Sequence, residues 1–74
     1  MSRRDIRLYY CSKHLGYFLC PVCGKPHNVQ LSLVKGDMLW GSCPVERLYA
    51  EFNVVERITG DRVPPLVRAT AIMP

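Results

Sequence analysis

The stretch Tyr17-Phe18-Leu19-Cys20-Pro21-Val22-Cys23-Gly24, with the alternating run Asn28-Val29-Gln30-Leu31-Ser32-Leu33 behind it, decides how this chain is read. A Cys-x-x-Cys turn places two thiolates about 3.5–4 Å apart, the separation of neighbouring ligands around tetrahedral zinc with bonds of about 2.3 Å. Proline after the first cysteine and glycine after the second suit a tight knuckle, where backbone N–H groups turn toward the sulfurs as the chain reverses. A thioredoxin-type redox role for the same motif needs a βαβ setting, and no such pattern surrounds it.

Beyond the knuckle, Val29, Leu31 and Leu33 share one face while Asn28, Gln30 and Ser32 share the other. That period of two marks a half-buried strand. Lys35-Gly36-Asp37 supplies a turn and Met38-Leu39-Trp40 starts a return strand. The resulting hairpin should carry Cys43 back beside the knuckle, making Cys20, Cys23 and Cys43 three ligands of one structural zinc ion. Trp40 is expected in the core against Leu31 and Phe18.

The fourth ligand stays open among several residues. A usual second knuckle would place cysteine at position 46, where Glu46 stands, and a carboxylate can bind zinc. His14 forms a Cys-x-x-His pair with Cys11 just ahead of the first knuckle. His27 follows Cys23 by four residues and could fold back. Glu46 and His14 rank level, followed by His27 and then Cys11.

Length makes a staple necessary. A chain of 74 residues forms one domain and buries only about 60% of the surface its unfolded form exposes. Apolar residues make up 49% of it, which excludes a wholly disordered polypeptide. No apolar run approaches the roughly 18 residues of a membrane span, and no signal-peptide pattern opens the chain. An intracellular, cytoplasmic location follows as the expectation. Clustered cysteines in such a compartment favour metal over disulfides, with a disulfide as the alternative.

The net charge is +4, and its excess gathers early. Arg3, Arg4, Arg7 and Lys13 outweigh Asp5 within the first fourteen residues, as in a basic arm that touches phosphate or an acidic protein surface. Tyr9, Tyr10, Tyr17 and Trp40 flank this arm, and aromatics beside arginines can stack on bases.

The chain divides into a basic arm and first strand (1–14), a zinc-ribbon-like core (15–63) and a C-terminal tail or edge strand (64–74). Pro64-Pro65 forbids a central strand where the tail begins. Segment 44–59 reads two ways. As a helix, Pro44 opens it and Gly60 stops it, with Val45, Leu48, Tyr49, Phe52 and Val55 as the stripe. As a strand, Leu48, Ala50, Phe52 and Val54 alternate with their neighbours, and β-branched and aromatic content favours this reading. The fold class expected is thus a small β-rich, zinc-ribbon-like domain, with a treble-clef-like fold carrying a helix at 44–59 as the alternative.

The order of these features resembles the Elf family of zinc-ribbon transcription elongation factors of archaea and eukaryotes. Phe18-Leu19-Cys20-Pro21-Val22-Cys23-Gly24, the strand around Val29 and Leu31, the glycine turn, Ser42-Cys43 and Tyr49-Ala50-Glu51-Phe52 carry the likeness, over about half the chain. The chain departs from it at Glu46, where the family has its fourth cysteine. The resemblance implies zinc ligation by Cys20, Cys23 and Cys43, and a contact of Arg3, Arg4 and Arg7 with nucleic acid or RNA polymerase.

The function expected is a non-catalytic zinc module on nucleic acid, RNA polymerase or the ribosome. Two other classes stay in view. One is a protein-interaction or assembly module using the apolar tail from Leu66 to Met73. The other is a small metalloenzyme or redox protein built on the thiolates and Glu46.

Overall fold

The computed structural model describes residues 4–73; Arg3, one of the bases of the expected arm, lies outside the described residues. Seven strands form a single curled sheet: β1 (Arg4–Tyr10), β2 (Leu15–Leu19), β3 (Pro26–Gln30), β4 (Val34–Lys35), β5 (Met38–Cys43), β6 (Leu48–Ile58) and β7 (Thr70–Ala71). Their order in the sheet is β4-β5-β6-β1-β2-β3-β7. There is no α-helix among the described residues, only short 3-10 turns at Leu31–Leu33 and Gly60–Arg62. The chain is a small all-β domain.

The helix alternative for 44–59 is overturned. Residues 44–47 form a turn, and β6 runs antiparallel to β5 through pairs from Cys43–Leu48 to Met38–Asn53. Arg47 takes a left-handed backbone, φ 56°, which a right-handed helix cannot propagate through. Past it, the alternation of Ala50, Phe52 and Val54 faces an apolar interior, and the strand buries that face.

The expected hairpin between the strand at 28–33 and the return strand at 38–43 does not form. β3 pairs with β2 and β7, whereas β5 pairs with β4 and β6. The 3-10 turn at Leu31–Leu33 ends β3 after Gln30 and redirects the chain. β1 and β6 are parallel neighbours at the middle of the sheet. Ile6 and Leu8 of β1 are buried in the core, so this basic segment also supplies central packing.

The C-terminal segment joins the two flanks of the sheet. Thr70 and Ala71 pair with His27 and Asn28 of β3, and the Ile72 N–H donates to the Asn28 carbonyl at 3.0 Å. Met73 then exchanges backbone hydrogen bonds with Ser42 of β5. The sheet therefore curls around an interior of Ile6, Leu8, Phe18, Val29, Leu39, Phe52, Val54 and Ile72. Phe18 and Phe52 meet at its centre, with ring centroids 4.9 Å apart. Burial of this kind contributes about 25 cal/mol per Å² of apolar surface, and a chain this short has little of it to bury.

Trp40 does not belong to that core. On β5 the inward positions are Leu39, Gly41 and Cys43, so Trp40 points outward and is 46% exposed.

Candidate metal centre

Four side chains converge at one end of the curled sheet: Cys20, Cys23, His27 and Cys43, whose donor atoms all lie within 4.8 Å of one another. Cys20 Sγ and Cys43 Sγ are 3.9 Å apart. His27 Nε2 stands 3.2 Å from Cys23 Sγ and 3.3 Å from Cys43 Sγ. Ligands around tetrahedral zinc would be separated by roughly 3.8 Å between sulfurs and 3.6 Å between sulfur and nitrogen. The cluster thus has the size of a single zinc sphere. All four cysteines of the chain are free thiols. A Cys3His set of this kind could hold one metal ion such as zinc.

Each ligand is placed by a different local cause. Cys20 directly follows β2, and the Gly24 N–H donates to the Cys20 carbonyl at 2.7 Å, folding residues 20–24 into a knuckle. Gly24 takes φ 77°, a left-handed conformation free of strain only for glycine. His27 sits on β3 two residues before Val29, so strand alternation aims both side chains inward. Phe18 and the imidazole meet in a T-shaped contact, centroids 5.9 Å apart at 79°.

Cys43 opens a second knuckle that copies the first. Cys43-Pro44-Val45-Glu46-Arg47 repeats Cys20-Pro21-Val22-Cys23-Gly24 in its first three residues. The Arg47 N–H donates to the Cys43 carbonyl at 2.6 Å, as Gly24 does to Cys20, and Arg47 takes the left-handed backbone that Gly24 takes. The turn survives although its second thiol and its glycine are replaced. His27 stands in the cluster where a cysteine at 46 would complete two matched knuckles.

Electrostatics treat the buried members of the cluster differently. Burial pushes the Cys20 thiol up to about 11, against the backbone N–H groups of Cys23 and Val22 that favour the thiolate. Cys43 feels the same push from burial, but the N–H groups of Glu46 and Val45 and the sulfurs of Cys23 and Cys20 outweigh it, so its pKa falls. Burial lowers the pKa of His27, against the backbone of Thr70 and Pro26, and keeps the ring neutral as a ligand must be. Its Nδ1 is buried without a hydrogen-bond partner of good geometry, which leaves Nε2 as the nitrogen that faces the sulfurs.

The other residues considered for the site lie elsewhere. Glu46 is exposed on the second knuckle and belongs to no metal-sized group among the described residues. His14 and Cys11 are exposed in the β1–β2 turn, at the opposite end of β2 from Cys20. Of the basic residues, Arg4 is exposed at the start of β1. Arg7 forms an ion pair with Glu56 at 3.3 Å, and Lys13 is exposed in the turn far from the cluster. His27 is the cluster residue that sequence reasoning ranked too low. The signal was present: if Val29 points inward, so does the residue two before it.

Compared with protein-family models, with curated proteins and with solved structures, the chain matches none. Its own geometry shows a small all-β domain with a buried three-cysteine, one-histidine cluster of zinc dimensions.

Proposed function

We propose that this chain is a non-catalytic, intracellular β module, held together by one structural zinc ion, that binds nucleic acid or a machine built on it. Four protein donors fill a tetrahedral sphere and leave no position for water or substrate, the pattern of a structural rather than a catalytic site. Within this reading, the likeness to the Elf elongation factors makes RNA polymerase the first machine to test, and the ribosome the second.

The observation that carries the proposal is where unpaired positive charge lies. Arg4, Lys25, Arg47 and Arg68 are all exposed and form no ion pair among the described residues. Lys25 follows the first knuckle directly, and Arg47 ends the second. Arg68 precedes by two residues the Thr70 that pairs with His27. The acids near them are Glu46, Glu51 and Asp5, and Asp5 accepts a hydrogen bond from Asn53. Away from the cluster, Arg7 and Arg62 pair with Glu56, and Arg57 pairs with Asp37. The metal end therefore offers four cations to phosphate, whereas of the five elsewhere Arg7, Arg57 and Arg62 are matched and Lys13 and Lys35 are not.

Binding of labelled single-stranded and duplex DNA and RNA, followed by anisotropy across a salt series, tests this. Log affinity should fall linearly with log salt. Lys25→Ala, Arg47→Ala and Arg68→Ala should each flatten the slope by about one unit. Negligible binding of every probe at low salt would remove direct nucleic-acid contact.

A further inference from the structure

The C-terminal segment ties together two strands that the sheet order keeps apart. β3 and β5 are separated in the sheet by β2, β1 and β6. Yet β3 carries His27, β5 ends at Cys43, and Nε2 of the one stands 3.3 Å from Sγ of the other. Thr70 is the register partner of His27 itself. Three residues on, Met73 exchanges backbone hydrogen bonds with Ser42, the neighbour of Cys43. Residues 70–73 therefore bridge the same two strands that an ion shared by His27 and Cys43 would bridge.

This segment is held by little. Thr70, Ala71 and Met73 are exposed, and Ile72 is the one side chain it buries. The chain that leads to it, residues 63–69, belongs to no strand or helix and contains Pro64 and Pro65. What fixes it is Ile72 against Gly41, the Ile72 N–H on the Asn28 carbonyl, the β3 pairing and the exchange with Ser42. Elements with few buried apolar contacts open locally at lower free energy than the core.

The donors beside it are closed off. Cys20, His27 and Cys43 are each exposed by 1% or less, and Cys23 is half-buried. An ion held by all four leaves only after a neighbouring element moves. The C-terminal segment lies along both ligand strands and can move without separating β1, β2, β5 and β6 from one another.

We infer that residues 70–73 form a strap coupled to the metal: an ion on His27 and Cys43 holds the strap closed, and opening of the strap sets the rate at which the ion leaves. This rests on the zinc reading above and adds to it how the site opens. Two links between one pair of strands reinforce each other, and the coupling is reciprocal. Whatever the ion adds to strap closure, closure adds to ion affinity.

The test uses the full chain with and without zinc, followed by amide exchange and by zinc transfer to a chromophoric chelator. In the metal-free protein the Ser42, Ile72 and Met73 amides should exchange about tenfold faster than the Val54 amide, which donates to the Asp37 carbonyl. Zinc should remove most of that gap. Ile72→Ala should speed zinc transfer about tenfold, and the milder Ile72→Val should speed it less. Val54→Ala removes a buried side chain beside the start of β5, away from Cys43, and should leave the transfer rate nearly unchanged. Equal acceleration by Ile72→Ala and Val54→Ala would overturn the strap and leave the zinc site standing. So would strap amides that exchange together with Val54 in the metal-free protein. Absence of zinc from the natural chain would overturn both readings.

Discussion

Arg47 occupies in the second knuckle the place Gly24 occupies in the first, and both adopt a left-handed backbone, φ 56° and 77°. For a residue with a Cβ that conformation costs on the order of 1 kcal/mol. The sequence keeps a guanidinium where glycine would be unstrained, at the end of the molecule that carries the metal-sized cluster.

Exchange at these two positions should therefore act in opposite directions. Arg47→Gly removes the strain but gives the unfolded chain more freedom, so a gain of at most about 1 kcal/mol is expected. Gly24→Ala meets no atom within 4 Å of the new Cβ, and its cost of about 1 kcal/mol is purely conformational. Urea denaturation of the zinc-loaded variants measures both. Destabilisation by Arg47→Gly would show that the arginine side chain holds the knuckle.

Closure of the sheet by the C-terminal segment depends on Gly41. A Cβ there would lie 2.9 Å from Ile72 Cγ1, 3.0 Å from Ile72 Cδ1 and 3.3 Å from the Met73 carbonyl oxygen. Gly41→Ala should cost about 1–3 kcal/mol, as overpacking does. It should also raise amide exchange at Ile72 and Met73 above that of β1 and β6. Uniform exchange across the sheet would mean that the closing segment is not a separately released element.

Above pH 9 the metal-free and metal-loaded proteins should part in their response to pH. In the metal-free protein burial raises the Cys20 thiol from 9.0 to about 11. Its contribution to stability is present below pH 9 and is lost as pH rises through 11. The lowered Cys43 and His27 act the other way, contributing stability that is lost as pH falls below their ordinary range, so the Cys20 effect is read between pH 9 and 11. With metal bound the ligands must be thiolates and neutral imidazole, so stability falls on acidification as protons displace the ion. Thermal melts from pH 5 to pH 11, with and without zinc, give the two responses. The same loss of stability between pH 9 and 11 with and without zinc would contradict ligation by Cys20.

Much of this architecture could be read from residues alone, and the failures have local causes. Cys-x-x-Cys with its proline and glycine announces a knuckle because its geometry is local. β6 was legible because Val54, Val55 and Ile58 favour a strand. The partner of β3 was not legible, since local alternation is equally satisfied by β2 or by β5. Trp40 was misplaced because hydrophobic size says nothing of which face a strand turns inward; Leu39 and Cys43 decide that. Glu46 drew attention as the residue at the expected sequence spacing. His27 fills the place because β3 enters from across the sheet, a long-range relation that spacing does not record.

The most direct test of the metal centre is zinc stoichiometry in protein purified without added metal, for the natural sequence and for His27→Ala, Cys43→Ser, Glu46→Ala and His14→Ala. One zinc per chain is expected in the natural sequence and in the Glu46 and His14 variants, with loss or weak retention in the His27 and Cys43 variants. Zinc kept by His27→Ala and lost by Glu46→Ala, or no zinc in any of them, would contradict the three-cysteine, one-histidine centre.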